Sequence, residues 1–356
     1  MIDWTKSMKQ TYEFYKVDPS TWKDSELLEY IEGCTIDYDS SNATLGSASI
    51  DCTNAMDEGY VRVYLIVEQN TEQGIETQKV ALGTVLAQTP SIGFDGKKTN
   101  ITMDAYTPLI ELKGKMPPIG YTVLKGVLVM DTAFKLCREN LRAPVVRPNN
   151  SETLFQDFVA NTDDNWLSFL IDFMSNAKYQ FALDGNGQIL FEPIQDMASL
   201  RPVWEYNDGN SSILYPEIED ERDLYNVPNV VEVIYSTSSR SLYSRIVNND
   251  PNSPISTVNR GREVIHRVYN PSLQYLPTQE YLDSYAKQLL RDMSCLEHTI
   301  TYTHGYCPVR VGDCVTLNYE RAGMKNIHAK VISQSISCTT GCPVQETAAY
   351  TTQLWR

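Results

Sequence analysis

The eight residues from Tyr60 to Val67, YVRVYLIV, alternate so regularly that they suit an extended strand: Val61, Val63, Leu65 and Val67 fall on one side of a pleated chain. A helix would scatter those four around its axis. Strand-like pieces recur on both sides, at CTIDYD, ATLGSASID, KVALGTVLAQT and NITMDAY, separated by Asn, Gly and Asp turns. Residues 30–110 therefore read as one antiparallel β domain, a barrel or a sandwich. FDGKK, with Asp95 and Gly96 between two such pieces, reads as a hairpin turn.

Near residue 127 the period changes. Asp131 or Thr132 is placed to cap a helix running to about Leu141, with Ala133, Phe134, Leu136, Cys137 and Leu141 as its apolar stripe. After a cap at Asp163 or Asp164, Trp166, Phe169, Leu170, Phe173, Met174 and Ala177 recur at helical spacing. YQFAL, the turn from Asp184 to Gly187, and QILFEP then read as strand, tight turn, strand. An acidic stretch over 196–228, containing EIEDERD, reads as a solvated connector or as the completion of the first β domain. β character returns at NVVEVIY and EVIHRVY. Between them NNDPNSPISTVNRGREVI, residues 248–265, reads as a long surface connection broken by Pro251, Pro254 and Gly261. It is expected to touch another chain, or else to be an ordinary exposed loop. A helix over about 278–295, with Leu282, Tyr285, Ala286, Leu289, Leu290 and Met293 on one face, precedes a β-rich end.

The expected fold class is α+β, mainly β: two antiparallel β-barrel domains with a small inserted α/β unit. The boundaries are an N-terminal arm at 1–25, a first barrel at 26–126, the inserted unit at 127–195, the acidic connector at 196–228 and a second barrel at 229–356. The five-residue pattern V-[LI]-x-Q-[TS], at Val85 to Thr89 and again at Val331 to Ser335, raises the question of whether the two β domains are copies.

Charge narrows the function classes. With 30 Lys and Arg against 45 Asp and Glu the net charge is −15, which repels phosphate backbones. The densest basic clusters, Lys97 with Lys98 and Arg260 with Arg262, are too short to override it, so specific nucleic-acid binding is not expected. No run approaches the roughly 18 apolar residues of a membrane span, and the N-terminus lacks the apolar core of a secretory signal. A soluble protein made in the cytoplasm is expected, without membrane insertion. Its eight cysteines then read as reduced, mostly buried thiols, and the sequons at Asn42, Asn100, Asn149 and Asn210 carry no meaning.

No catalytic or metal signature has the spacing its chemistry requires. FDGKKTN fails as a phosphate loop, because Ser91 stands five before Gly96 and Lys98 occupies the place of a Mg-binding hydroxyl. Counted from Asp184, a calcium loop meets Asn186, Gln188, Ile189 and Gln195 where carboxylates and a glycine belong. Cys295, His298, His304, Cys307 and Cys314 concentrate soft ligands within twenty residues, followed by Cys338 and Cys342, but without a CxxC pair. They read as buried thiols and surface histidines. No GxSxG elbow and no HExxH occurs. The expectation is no catalytic site, no cofactor and no metal, although paired carboxylates could arise among so many acids.

The order of the pieces resembles the baseplate hub family of bacteriophage tails and related contractile injection particles. YVRVYLIV with VALGTVLAQTPSIGFDGKKTNITMDAY resembles the first hub barrel, and FVANTDDNWLSFLIDFMSNAKYQFALDGNGQILFEP the inserted unit of the smaller hubs. VPNVVEVIYS with NNDPNSPISTVNRGREV is similar to the start of the second barrel, and VRVGDCVTLNY, after its helix, to the later half. The resemblance implies two tail-tube-like barrels per chain and a homotrimeric ring that adapts a six-fold tail tube to a three-fold spike or tail tip and lets DNA pass. It implies as partners the tube protein, the spike or tail-tip protein, the tape measure protein and the baseplate wedge. It further implies a place in the tail baseplate of a virion assembled in the host cytoplasm. The first 25 residues match no part of that pattern. The competing classes are a tail-tip cell-wall hydrolase and a glycan- or receptor-binding tail protein.

Overall fold

The computed structural model describes residues 2–54, 56–72, 74–94, 96–97, 99–195, 197–225, 227–238, 240–271 and 277–355. Its strands form mainly antiparallel ladders and its helices are few, so the chain is α+β and mainly β. It divides into two compact units, residues 1–218 with 302–348, and residues 219–301 with 349–356.

The first unit begins with strands β1 (Lys9–Val17), β2 (Asp24–Leu27), β3 (Ile31–Asp39), β4 (Gly46–Cys52), β5 (Gly59–Thr71), β6 (Gly74–Phe94) and β7 (Thr99–Tyr106). They are ordered β3-β4-β7-β6-β5-β1-β2. Val61, Val63, Leu65 and Val67 on β5 are all buried, and they share a core with Ile36, Ile50 and Met103. β6 and β7 pair antiparallel from Leu86↔Tyr106 to Phe94↔Thr99, as a hairpin requires; Asp95 itself lies outside the described residues.

Where the sequence suggests an arm over residues 1–25, β1 pairs with β5 over nine residues and buries Phe14 and Val17. The alternation YEFYKV is strand chemistry, but its one-residue polar interruptions hide it beside the far stronger β5.

Residues 110–193, here the inserted segment although the sequence reading begins that unit at 127, supply α1 (Ile110–Lys113), β8 (Thr122–Val123), α2 (Val129–Asn140), β9 (Phe158–Val159), α3 (Trp166–Ser175), β10 (Tyr179–Leu183) and β11 (Ile189–Pro193). α2 starts two residues before the expected cap, with Leu128 at its N-cap and no side chain capping it. α3 is capped by Asn165, whose side chain accepts from Ser168 N while the Ser168 hydroxyl accepts from Asn165 N. Asp164, one of the expected caps, instead accepts from the Ser168 hydroxyl. The stripe of Trp166, Phe169, Leu170, Phe173, Met174 and Ala177 is buried as its spacing predicts.

The acidic stretch is not a connector throughout. It forms β12 (Pro202–Asn207) and β13 (Leu214–Asp223), which carries EIEDERD with its side chains mostly towards solvent. β12 runs parallel to a later strand, with Tyr206 opposite Leu317.

The second unit holds β14 (Val230–Ser236), β15 (Ser241–Val247), α4 (Thr257–Arg260), β16 (Ile265–Tyr269) and α5 (Gln279–Met293) in a sheet ordered β15-β14-β16. α5 starts after Thr278, whose hydroxyl accepts from Tyr281 N, and buries Leu282, Ala286 and Leu290 against Val231 and Val233. The 248–265 connection is clamped rather than loose. Asn229 donates to the carbonyls of Ile255 and Arg262 and accepts from Val264 N, and Asn248, Ser253, Ile255 and Ser256 are buried. Gly261 takes φ +63° to end α4.

The remaining strands are β17 (Cys295–Gly305), β18 (Cys314–Asn318), β19 (Ile327–Ser337) and β20 (Pro343–Gln353). The boundary between the units falls within β13, β17 and β20. β19 pairs with β18 near its start and with β3 near its end. The strand orders are open at both ends among the described residues, and no closed barrel is found.

Deletion through residue 20 removes β1 and strips one edge from β5, so the sharp thermal transition is expected to be lost. Phe14→Ala alone is expected to cost about 3–5 kcal/mol in denaturant unfolding. A truncated chain melting at the full-length temperature contradicts this assignment.

Candidate functional site

Three features of the first unit bear on function: a buried guanidinium, a buried ionic cluster and a large cavity. The first depends on Arg62, which lies on the face of YVRVYLIV opposite its four apolar residues. Arg62 is buried, and each arm of its guanidinium has a partner. Nε donates to Thr84 Oγ1 at 3.0 Å, Nη1 to Asp24 Oδ1 at 2.7 Å, and Nη2 to the carbonyls of Trp22 at 3.3 Å and Asn186 at 3.1 Å. Trp22 Nε1 donates to the same Asn186 carbonyl at 2.8 Å, and Thr84 Oγ1 donates to Gly185 O at 3.2 Å. The β10–β11 turn is thereby fastened to β5, β6 and the N-terminal segment.

That approach needs glycine. A Cβ on Gly185 would stand 1.9 Å from the Ala81 carbonyl oxygen, and one on Gly187, at φ +72°, would stand 2.7 Å from Thr84 Cβ. Asp184, read in sequence as the first position of a failed calcium loop, accepts from Gln188 N and so closes the hairpin.

The soft-ligand cluster is dispersed. Cys295 and His298 belong to the second unit, His304, Cys307 and Cys314 to the first. Cys295 faces Gln353 Oε1, and His298 lies 3.0 Å from Asp220 Oδ1 and stacks on Tyr350. The expected surface histidines are therefore corrected for these two: His298 and His304 are both buried. Cys338 donates its backbone N–H to Cys34 O, and Cys342 is buried. Among the described residues, no group of three or more His, Cys, Asp or Glu side chains is arranged to hold a metal ion.

His304 and Cys307 do come together, in a cluster that spacing alone does not reveal. His304 Nδ1 faces Gly305 O at 2.8 Å, and Nε2 lies 3.4 Å from Glu346 Oε2 and 3.0 Å from the Tyr206 hydroxyl. A carbonyl on one nitrogen and a carboxylate near the other favour the doubly protonated ring. Burial pulls the His304 pKa down, but contacts with Cys307 and Glu346 outweigh it and raise it to about 10. Glu346 also accepts from Tyr302 Oη and from Gln334 Nε2 at 2.7 Å. Burial, with Glu346 beside them, pushes the Tyr206 and Tyr302 phenols well above their usual range. Gln334 comes from the second V-[LI]-x-Q-[TS] segment; Gln88, its counterpart, sits at the β6 irregularity against β7.

This grouping of thiol, imidazole and carboxylate has the composition of a nucleophilic triad without its access. The side chains of His304 and Glu346 are 0% exposed, and Cys307 Sγ is 3.9 Å from His304 Nδ1, which already faces a carbonyl. The cluster ties β12, β17, β19 and β20 together inside the protein.

The cavity, of about 880 Å3, is lined by residues of α3, β10 and the β10–β11 turn, of β6 and the segment 38–45, and of 308–313 and β19. His304, Cys307 and Glu346 do not line it. No protein-family model matches the sequence, and no curated protein matches it. By structure, the chain aligns over 96% of its length with 97% of the tail protein from Neisseria meningitidis MC58, at a TM-score of 0.63 and 15% identity. The chain has the fold of that tail protein. It also aligns over 95% of its length with 97% of the 43 kDa tail protein of prophage MuSo2 from Shewanella oneidensis, at a TM-score of 0.59 and 11% identity.

Gly185→Ala is expected to destabilise the chain by about 1–3 kcal/mol in urea unfolding. Gly93→Ala, whose Cβ meets nothing nearer than 3.9 Å, should stay within about 0.5 kcal/mol. Equal effects contradict the close approach of the turn to β6.

The His304 pair predicts a pH dependence. A histidine pKa raised above its unfolded value of 6.5 stabilises the fold fully below that pH, and the contribution is lost as pH rises through about 10. Stability is expected to fall across that window. His304→Ala should cost about 3–5 kcal/mol at pH 6 and flatten the profile; an unchanged profile contradicts the charged pair.

Proposed function

We propose that the chain is a structural baseplate hub protein of a phage-type tail. The observation that carries this reading is its end-to-end likeness in fold to the Neisseria tail protein, which leaves almost no residue of either chain unaccounted for. A shared fold does not by itself assign a role; two surface features support it.

The inserted segment exposes Ile119 at 96% and Phe155 at 94%, with Met116, Leu124 and Val159 also exposed, and β8–β9 pairing brings their two stretches of chain together. The β6–β7 hairpin exposes Ile92 and Phe94 towards its tip. Apolar side chains so open to water suit surfaces covered on assembly.

In this reading three copies close into a ring by head-to-tail contacts, and two tail-tube-like β domains per chain give six positions for a six-fold tube. A spike or tail-tip protein meets the three-fold side, and the tape measure protein and baseplate wedge adjoin. A net charge of −15 keeps the passing DNA from lodging on the ring. Completed hubs belong to the virion tail after assembly in the host cytoplasm, and the ring works by geometry rather than turnover.

Ile119→Asp combined with Phe155→Asp is expected to change monomer stability by no more than about 0.5 kcal/mol per site, as exposed positions do. Incorporation into tail particles should nevertheless be lost, as read by electron microscopy and particle composition. Normal incorporation of the double variant contradicts the assignment of that surface to assembly.

A further inference from the structure

One wall of the 880 Å3 cavity is an unpaired strand edge. The ladder between β10 and β11 fixes which backbone groups face it. Ile194 N donates to Lys178 O and Asp184 N to Gln188 O, so the hydrogen-bonded pairs are Gln180 with Glu192 and Ala182 with Leu190. Tyr179, Phe181 and Leu183 therefore turn their N–H and C=O groups the other way. No strand pairs with that edge among the described residues, and all three residues line the cavity. Three successive outward peptide groups in a walled space form a template for one more strand.

The cavity lining also carries charge. Arg310 and Lys330 line the cavity, and neither side chain has a carboxylate partner among the described residues. Two of the three cavity carboxylates are already engaged: Asp313 accepts from Arg310 N and Asp184 from Gln188 N. The third, Glu192, stands on β11 and disfavours a ligand that is acidic throughout. The volume lies within the range of pockets that enclose a ligand, roughly 300–1,000 Å3.

We propose that this cavity receives an extended peptide segment that adds to the free edge of β10 as a third strand and presents one carboxylate side chain to Arg310 and Lys330. Main-chain bonds to Tyr179, Phe181 and Leu183 supply the affinity, and the two cations choose register and sequence. The site goes beyond the tail reading and holds whether or not the chain forms a ring.

The test uses the full chain and a fluorescein-labelled peptide of alternating threonine and valine with one central glutamate. Two controls carry lysine in place of the glutamate, or N-methyl groups on alternate amides. Strand addition is driven by the main chain, so a generic strand-former is a sufficient probe. The glutamate peptide is expected to bind and to slow amide hydrogen exchange at Tyr179, Phe181 and Leu183. The lysine peptide should bind at least about tenfold more weakly, and N-methylation should abolish protection. Arg310→Ala with Lys330→Ala should weaken the glutamate peptide at least about tenfold while leaving the melting temperature in place; either single variant serves if the pair does not fold. The proposal is overturned by no binding at about 1 mM peptide, by protection that survives N-methylation, or by affinity indifferent to the two cations.

Discussion

The guanidinium of Arg62 is the contact on which the first unit depends. A cation taken out of water costs several kcal/mol unless each of its donors finds an acceptor. Here the acceptors come from four places in the chain: Thr84 on β6, Asp24 on β2, the carbonyl of Trp22, and Asn186 in the β10–β11 turn. Removing Thr84 or Asp24 leaves a buried N–H of the guanidinium without its acceptor, so the N-terminal segment and the inserted hairpin are held where the arginine requires them. Trp22, at φ +56°, packs edge-on against Tyr60, whose hydroxyl donates to Glu111 on α1. Glu111 in turn pairs with Arg142 beyond α2. The inserted segment is thus joined to the β domain through two linked polar contacts.

What the sequence makes legible follows from periodicity. The alternation around Tyr60 to Val67 and the helical stripe from Trp166 to Ala177 are local patterns, and both are buried as read. The turn at Asp184 to Gly187 is local too, since its glycines and its closing Asp184 lie within five residues. Arg62 shows the limit: within YVRVYLIV it looks like an ordinary outward polar residue, and its acceptors are up to 124 positions away. The N-terminal strand was obscured for the same reason, because β1 draws its support from β5 rather than from its own pattern.

The candidate site was less legible than the fold. His304 and Cys307 could be noticed by spacing, but Tyr206 and Glu346, roughly a hundred and forty positions apart, meet them only through strand pairing. Burial then turns an apparent set of reactive groups into an internal brace. Polar clusters fix the strands internally, while apolar side chains such as Phe155 and Ile119 remain outside, a division of labour that suits the proposed assembly role. A scaffold rigid in its interior can hold such surfaces ready for a neighbour with little ordering cost on binding.

The proposed function makes the chain a ring-forming structural component. Its most direct test is the copy number and arrangement of the chain in complexes formed by co-production with the tail tube and spike proteins of the same tail, measured by native mass spectrometry and cryo-electron microscopy. The account predicts three copies in a closed ring with a central opening, contacting the tube on one face and the spike on the other. A single copy per complex, or a monomer that turns over peptidoglycan or glycans, would contradict it.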